Sequence, residues 1–259
     1  MKILLLVKQV PDTTEMKIDK ITGTLIRAGV PSIINPDDLA GVEEALKLKD
    51  RFNAHLTVIT MGPPQAEEML RELLARGVDD VVLISDAKFA GADTWATSNT
   101  LAAFIKTLPY DLIIAGRQAI DGDTAQVGPQ VAEKLHIPQV TYVEEVMDAD
   151  EKFITVKKAY EDYSEILKVE LPALLSTLST MNSPRSMNVV DAWMSYDKPV
   201  RKVTFADLDL KPEEVGLKGS PTQVKKTFTR TLQANALKTD LSAEDAAKLI
   251  ASYLKPYME

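Results

Sequence analysis

The chain has 259 residues, 45% of them hydrophobic, enough to bury a full α/β core with a smaller appendage. Its 38 acidic against 30 basic residues leave a formal charge of −8, which argues against a nucleic-acid or anionic-membrane partner, since both demand a basic face. Cysteine is absent, which excludes disulfides, thiolate nucleophiles, iron–sulfur ligation and Cys-based zinc sites; with His55 and His136 as the only imidazoles, no transition-metal centre is expected.

The run from Met1 to Lys8 is too short for a secretory apolar segment and lacks a small-residue cleavage site, so a first buried strand is expected there. Nowhere do about 18 apolar residues run together, so no membrane span is predicted and the expected location is cytoplasmic. Three further runs, at 56–60, 81–84 and 112–114, are rich in branched residues and lack the alternation of a half-wet sheet, which suits strands covered on both faces. Between them lie helical patterns at 37–51, with Leu39, Val42, Ala45, Leu46 and Leu48 on one side, then at 64–76 and 94–108. Alternation of this kind predicts a doubly wound, mainly parallel α/β sheet whose ligands gather at the carboxyl ends of the strands.

From about residue 139 short strand-like pieces with charged turns, at 139–143, 153–156, 164–169 and 174–177, read as an antiparallel extension. The pattern divides the chain into an α/β domain with this extension at 1–180, a loop at 181–196, and a C-terminal arm at 197–259. Pro199, Pro212, Gly216, Gly219 and Pro221 break the arm, and Ser242 caps a last amphipathic helix running to Leu254. Met181, Met187, Val189, Val190, Trp193 and Met194 offer apolar surface without a periodic partner, which favours an arm whose core another chain supplies.

The segment with the most chemistry runs from Ala115 to Gly128. A strand feeding a small-residue loop and then a helix sets free backbone N–H groups at the positive end of a helix dipole, a place for phosphate. Asp121 and Asp123 are unexpected there, because carboxylates repel an anion unless they face ribose hydroxyls or cap the helix; Asp123 or Thr124 is positioned to be that cap. Loop physics alone weighs a nucleotide site about equally with an ordinary, well-capped βα connection. Asn35, ahead of Pro36, is free to bond an adenine edge or its own backbone, or to serve as an N-cap. Around Phe89 to Ser98, Gly91 relieves crowding, Asp93 or Thr94 can cap a helix, and Thr94, Thr97 and Ser98 can offer hydroxyls to phosphate; a plain capping motif explains them equally. Lys8 and Arg117 are the cations nearest the crevice, able to neutralise pyrophosphate or to sit near a flavin ring, or to be ordinary surface charges. No acid–base dyad or nucleophile is visible.

Taken together, Val7-Lys-Gln-Val-Pro-Asp-Thr13, Asn35-Pro-Asp-Asp38, Glu43-Glu-Ala-Leu46, Met61-Gly-Pro63 and Gly116-Arg-Gln-Ala-Ile-Asp121, continuing through Pro184-Arg185 to Gly219-Ser-Pro-Thr222, closely resemble the β subunit of the electron transfer flavoproteins. The resemblance implies a heterodimer with a larger, FAD-carrying α subunit. It implies an adenine-nucleotide site at the backbone of Leu6, at Asn35, Pro36, Asp37 and Asp38, at Met61, and along Gly116, Arg117, Gln118, Ala119, Ile120, Asp121, Gly122, Asp123, Thr124, Ala125, Gln126 and Val127. The segment with Asp93, Thr94 and Thr97 resembles that of the electron-bifurcating members, which implies a second FAD that takes hydride from NADH. One electron would then pass to ferredoxin or flavodoxin and the other, through the α-subunit FAD, to an acyl-CoA dehydrogenase-type flavoenzyme. AMP-holding relatives, in which this site is structural, are the alternative. Residues 182–194 match the family's recognition loop, where the aligned anchor is Val189 rather than leucine and Val190 or Met187 could substitute.

Overall fold

The continuous apolar runs become strands because a backbone buried on both faces must satisfy its polar groups within the sheet. The computed structural model describes residues 1–12, 31–223 and 240–257, together with the backbone of 17–18 and 25–26. Thr13, the last residue of the opening motif, and residues 224–239 and 258–259 of the expected arm lie outside the described residues.

In chain order the elements are β1 (Lys2–Leu6), β2 (Gln9–Pro11), β3 (Lys17–Ile18), β4 (Leu25–Ile26), β5 (Ser32–Ile34), α1 (Pro36–Phe52), β6 (His55–Met61), α2 (Glu67–Ala75), β7 (Asp80–Ile84), α3 (Thr94–Ile105), β8 (Leu112–Gly116) and α4 (Val127–Leu135). They continue as β9 (Gln139–Ala149), β10 (Phe153–Ala159), β11 (Ser164–Glu170), β12 (Ala173–Thr177), α5 (Val189–Met194), β13 (Arg201–Val203) and α6 (Ala243–Leu254). A nine-stranded sheet has the order β11-β10-β9-β12-β8-β1-β6-β7-β13. Every neighbour pair from β9 to β13 is parallel, and only β10 and β11 add antiparallel strands at one edge. The doubly wound α/β class read from the sequence is therefore the observed one.

One strand departs from that reading. Residues 174–177 were expected in the antiparallel extension, but β12 inserts between β8 and β9, parallel to both. Its five residues are all buried, so it occupies the covered centre of the sheet while the alternating β11 takes the half-wet edge.

Helices α1 and α2 cover one face over Ile3, Leu5, Leu46, Leu70 and Leu83, and α3 and α4 cover the other over Leu4, Ile59, Phe104 and Val131. After β1 the chain steps outward through β6 and β7, then crosses back to place β8 on the opposite side of β1. Between the carboxyl ends of β1 and β8 the winding changes direction, which is where open α/β sheets hold ligands.

Two units are distinguished, Met1–Lys225 and Lys226–Glu259. Residues 197–223 of the expected arm return to the first: β13 pairs with β7, and Leu208 and Val215 are buried in the core on the α3 face. In the second unit Ser242 caps α6 by accepting from the Asp245 N–H at 3.2 Å, as its sequence predicts. Among the described residues no helix is long and apolar enough to cross a membrane.

Candidate functional site

At the point where the winding reverses, one carboxylate spans two strand ends. Asp38, in the first turn of α1, accepts from the Lys8 N–H just past β1 at 2.7 Å and from the Gly116 N–H at the end of β8 at 3.0 Å. Pro36 opens α1, where its missing N–H costs nothing, and the acidic pair Asp37 and Asp38 sits at the positive end of the helix dipole. Burial pushes the Asp38 carboxyl up to about 7, outweighing the hydrogen bonds from Asn35, Lys8 and Gly116, and neighbouring Asp37 adds to the rise. Gly116 must lack a side chain for this to occur, since a Cβ would lie 2.1 Å from Asp38 Oδ1 and 2.7 Å from its backbone nitrogen. The close approach that demands glycine at 116 is thus to Asp38.

Asn35 and Asp37 continue the brace. Fully buried, Asn35 donates from Nδ2 to the Gln118 carbonyl at 2.8 Å and accepts the Ile120 N–H at 3.1 Å, and its side chain makes no capping bond to α1. Its amide thus ties the 116–121 loop to the start of α1, a role that neither the adenine edge nor the N-cap anticipated. Asp37 accepts from Arg117 Nε at 3.2 Å, the Gln118 N–H at 3.3 Å and the Ser179 N–H at 2.9 Å. Thr177 donates to the Asp37 carbonyl at 3.0 Å, which Gly41 permits, since a Cβ there would meet Thr177 Oγ1 at 2.9 Å. Local sequence held no signal for Thr177 or Ser179, because both reach the site only through β12.

The two loop carboxylates are turned onto partners. Lys8 Nζ lies 2.7 and 2.8 Å from the oxygens of Asp121, and Gln118 Nε2 donates to Asp123 at 2.9 Å. Neither Asp123 nor Thr124 caps α4: the helix begins at Val127, and Gln126 at its N-cap supplies no side-chain bond. Asp123 and Ala125 hold left-handed backbone at φ 49° and 52°, an arrangement that turns successive N–H groups toward one side. Among the described residues nothing accepts from the N–H groups of Thr124, Ala125 or Gln126, or from the terminal nitrogens of Arg117. Unpaired amides leading into an uncapped helix, beside a guanidinium and with both nearby carboxylates engaged, are a donor set suited to phosphate. The residues present therefore fit the phosphate end of an adenine nucleotide.

Asp93 caps α3, accepting from the Ala96 N–H at 3.0 Å, and also holds Thr222 through its N–H at 3.0 Å and its hydroxyl at 2.7 Å. Burial raises the Asp93 carboxyl, but these bonds outweigh it and hold it below the ordinary carboxylate range. Thr94 donates to Gln126 Oε1 at 2.9 Å, joining the start of α3 to the loop that follows β8. Thr97 is half-buried in the same turn, whereas Ser98 is fully buried and bonded to the Trp95 carbonyl and Gln130, so its hydroxyl does not face an anion. Leu6 is buried at the end of β1, and Met61 is half-buried at the end of β6.

The 181–196 segment lies apart from this crevice on the outer side of α1 and α2. Arg185 grips Glu43, Arg76 donates to the Arg185 carbonyl at 2.6 Å, and Arg71 donates to the Ser195 carbonyl at 2.9 Å. Held this way, α5 displays Val189, Val190 and Trp193, 86, 62 and 81% exposed, with Met187, Met194 and Tyr196 beside them. Met181 instead packs against the core.

A family model described as the electron transfer flavoprotein domain matches residues 22–208. The chain is 52% identical over 255 residues to the electron transfer flavoprotein subunit beta of Clostridium acetobutylicum, covering 98% of each. It is 50% identical over 258 residues to the caffeyl-CoA reductase-Etf complex subunit CarD of Acetobacterium woodii, again covering 98% of each. With the acryloyl-CoA reductase electron transfer subunit gamma of Anaerotignum propionicum it shares 46% over 237 residues, covering 88% of each.

Proposed function

Because this chain belongs to the electron transfer flavoprotein family, as a β subunit, we propose that its crevice holds FAD, receives hydride from NADH and acts in bifurcating electron transfer with an FAD-carrying α subunit. The observation that carries the reading is the set of unpaired donors at Arg117 and Thr124 to Gln126, joined through Thr94 to the start of α3. When bound, FAD supplies the redox chemistry, taking a hydride from NADH and releasing electrons singly to ferredoxin or flavodoxin and, by way of the α-subunit FAD, to an acyl-CoA dehydrogenase-type flavoenzyme.

The chain's own residues bind and orient. Arg117 and the amides of Thr124, Ala125 and Gln126 hold phosphate oxygens, while Lys8 keeps the Asp121 charge from repelling them. Asn35, Asp37 and Asp38 fix the strand ends and the loop, so little of the binding energy is spent on ordering them. The exposed α5 surface meets the dehydrogenase-type partner, and α6, whose Ile250, Tyr253 and Leu254 are uncovered in their own unit, packs on the α subunit. The names of two relatives, which place them in reductase complexes that act on CoA esters, support a partner of that class.

Cofactor stoichiometry of the purified heterodimer tests the reading. Two FAD per heterodimer is the expected result. One FAD with one AMP would assign the crevice a structural nucleotide and remove the redox role from this chain.

A further inference from the structure

Tyr142 has a backbone that a bulky residue rarely adopts, with φ at 59° in the middle of β9. The register of β9 against β12 shifts between Leu175 and Thr177, and the Tyr142 N–H, displaced from the ladder, donates to Ser176 Oγ at 3.4 Å. Thr177 pairs with Val143 and accepts the Arg117 N–H at 2.9 Å, so the irregularity lies level with the end of β8. Its result is that the Tyr142 ring, 40% exposed, meets the Arg117 guanidinium 5.6 Å from the ring centroid. Arg117 is also held by Asp37, whose own carboxylate is fixed by the amides of Gln118 and Ser179. Between ring and carboxylate the guanidinium keeps its two terminal nitrogens unpaired among the described residues. Backbone strain that survives in a well-packed sheet is a mark of a constrained site.

We propose that Tyr142 is a positioning residue of the nucleotide crevice: with Asp37 it clamps Arg117 so that the free edge of the guanidinium faces the diphosphate of the bound dinucleotide. The proposal rests on the reading of the crevice as an adenine-nucleotide site. A face-on aromatic contact restricts a flexible cation without consuming its hydrogen-bond donors, which a second carboxylate would do.

The test uses the full chain purified with its partner subunit and stripped of nucleotide, titrated with ADP and with adenosine as the phosphate-free probe. Tyr142→Ala should weaken ADP about tenfold and leave adenosine unchanged, and Tyr142→Phe should retain the wild-type ADP affinity. Tyr142→Gly should lose ADP to the same extent while its Tm stays level or rises, because glycine accepts the positive φ; this variant separates lost positioning from lost folding. In an Arg117→Ala background, Tyr142→Ala should cost nothing further. Wild-type affinity for ADP in the glycine or alanine variant would overturn the proposal, as would an equal loss of ADP and adenosine, or additive effects of the Arg117 and Tyr142 changes. If the wild-type protein binds neither probe, the nucleotide reading itself fails and this proposal with it.

Discussion

Asp38→Asn addresses the carboxylate that bridges β1 and β8. The folded carboxyl has a pKa of about 7 against an ordinary 3.8, because burial penalises its charged form more than the amide donors favour it. The folded state therefore binds this proton more tightly than the unfolded chain does. The resulting stability is fully present below about pH 4 and is lost as the pH rises to about 7. A gap of about three pH units at about 1.4 kcal/mol each makes that loss about 4 kcal/mol. Asparagine is neutral throughout and carries none of this dependence. It presents one oxygen where the carboxyl presents two, so the N–H of Lys8 or Gly116 loses its acceptor at a cost of about 1–3 kcal/mol. Near pH 4 the variant should thus be the less stable by about 1–3 kcal/mol. The difference should close by about 1.4 kcal/mol per pH unit and change sign before levelling off above about pH 7. Urea unfolding of both proteins across about pH 5 to 8, followed by tryptophan fluorescence, measures it. Stability curves that stay parallel over that range would refute the burial argument and mark Asp38 as an ordinary ionised acid.

Gly116→Ala should cost about 2–3 kcal/mol, since its Cβ must displace the Asp38 carboxylate, and should lower Tm by about 5–10 °C together with nucleotide retention; an unchanged Tm would remove the close-approach argument. For Lys8→Ala, a half-exposed ion pair is lost and stability should change by less than about 1 kcal/mol. Nucleotide affinity should nevertheless fall severalfold at low salt as the Asp121 charge is unmasked, and the deficit should shrink near 1 M salt; a salt-independent deficit would contradict this. Val189→Asp should leave stability within about 0.5 kcal/mol, because the residue is 86% exposed, and should slow electron transfer to the dehydrogenase without altering flavin reduction by NADH. An unchanged coupled rate would exclude Val189 from that surface.

Much of the fold was legible from the residues because burial leaves a direct trace in composition. The runs behind β1, β6, β7 and β8 read as doubly covered strands, the stripe through Val42, Leu46 and Leu48 read as α1, Ser242 read as the cap it is, and Asp93 was one of two residues read as able to cap α3. The misplacement of β12 has a local cause. A buried strand of five residues carries no mark of direction, and its neighbours in sequence, β10 and β11, are antiparallel. At the candidate site the residue types were readable and their partners were not. Two carboxylates in a phosphate loop looked like a contradiction until Lys8 and Gln118 were seen to engage them.

From sequence alone came the family resemblance, the alternation of covered strands and helices through α4, and the loops that carry the chemistry, since each depends on contiguous pattern. Tertiary structure alone decided that Asn35, Asp37 and Asp38 brace the strand ends, that Gly116 yields to a carboxylate, and that Tyr142 faces Arg117. These contacts join residues about 25 to 142 apart along the chain, and among Asn35, Asp37 and Asp38 the partner of each side chain follows from which backbone amides a crossover delivers to it, a quantity that no local spacing encodes.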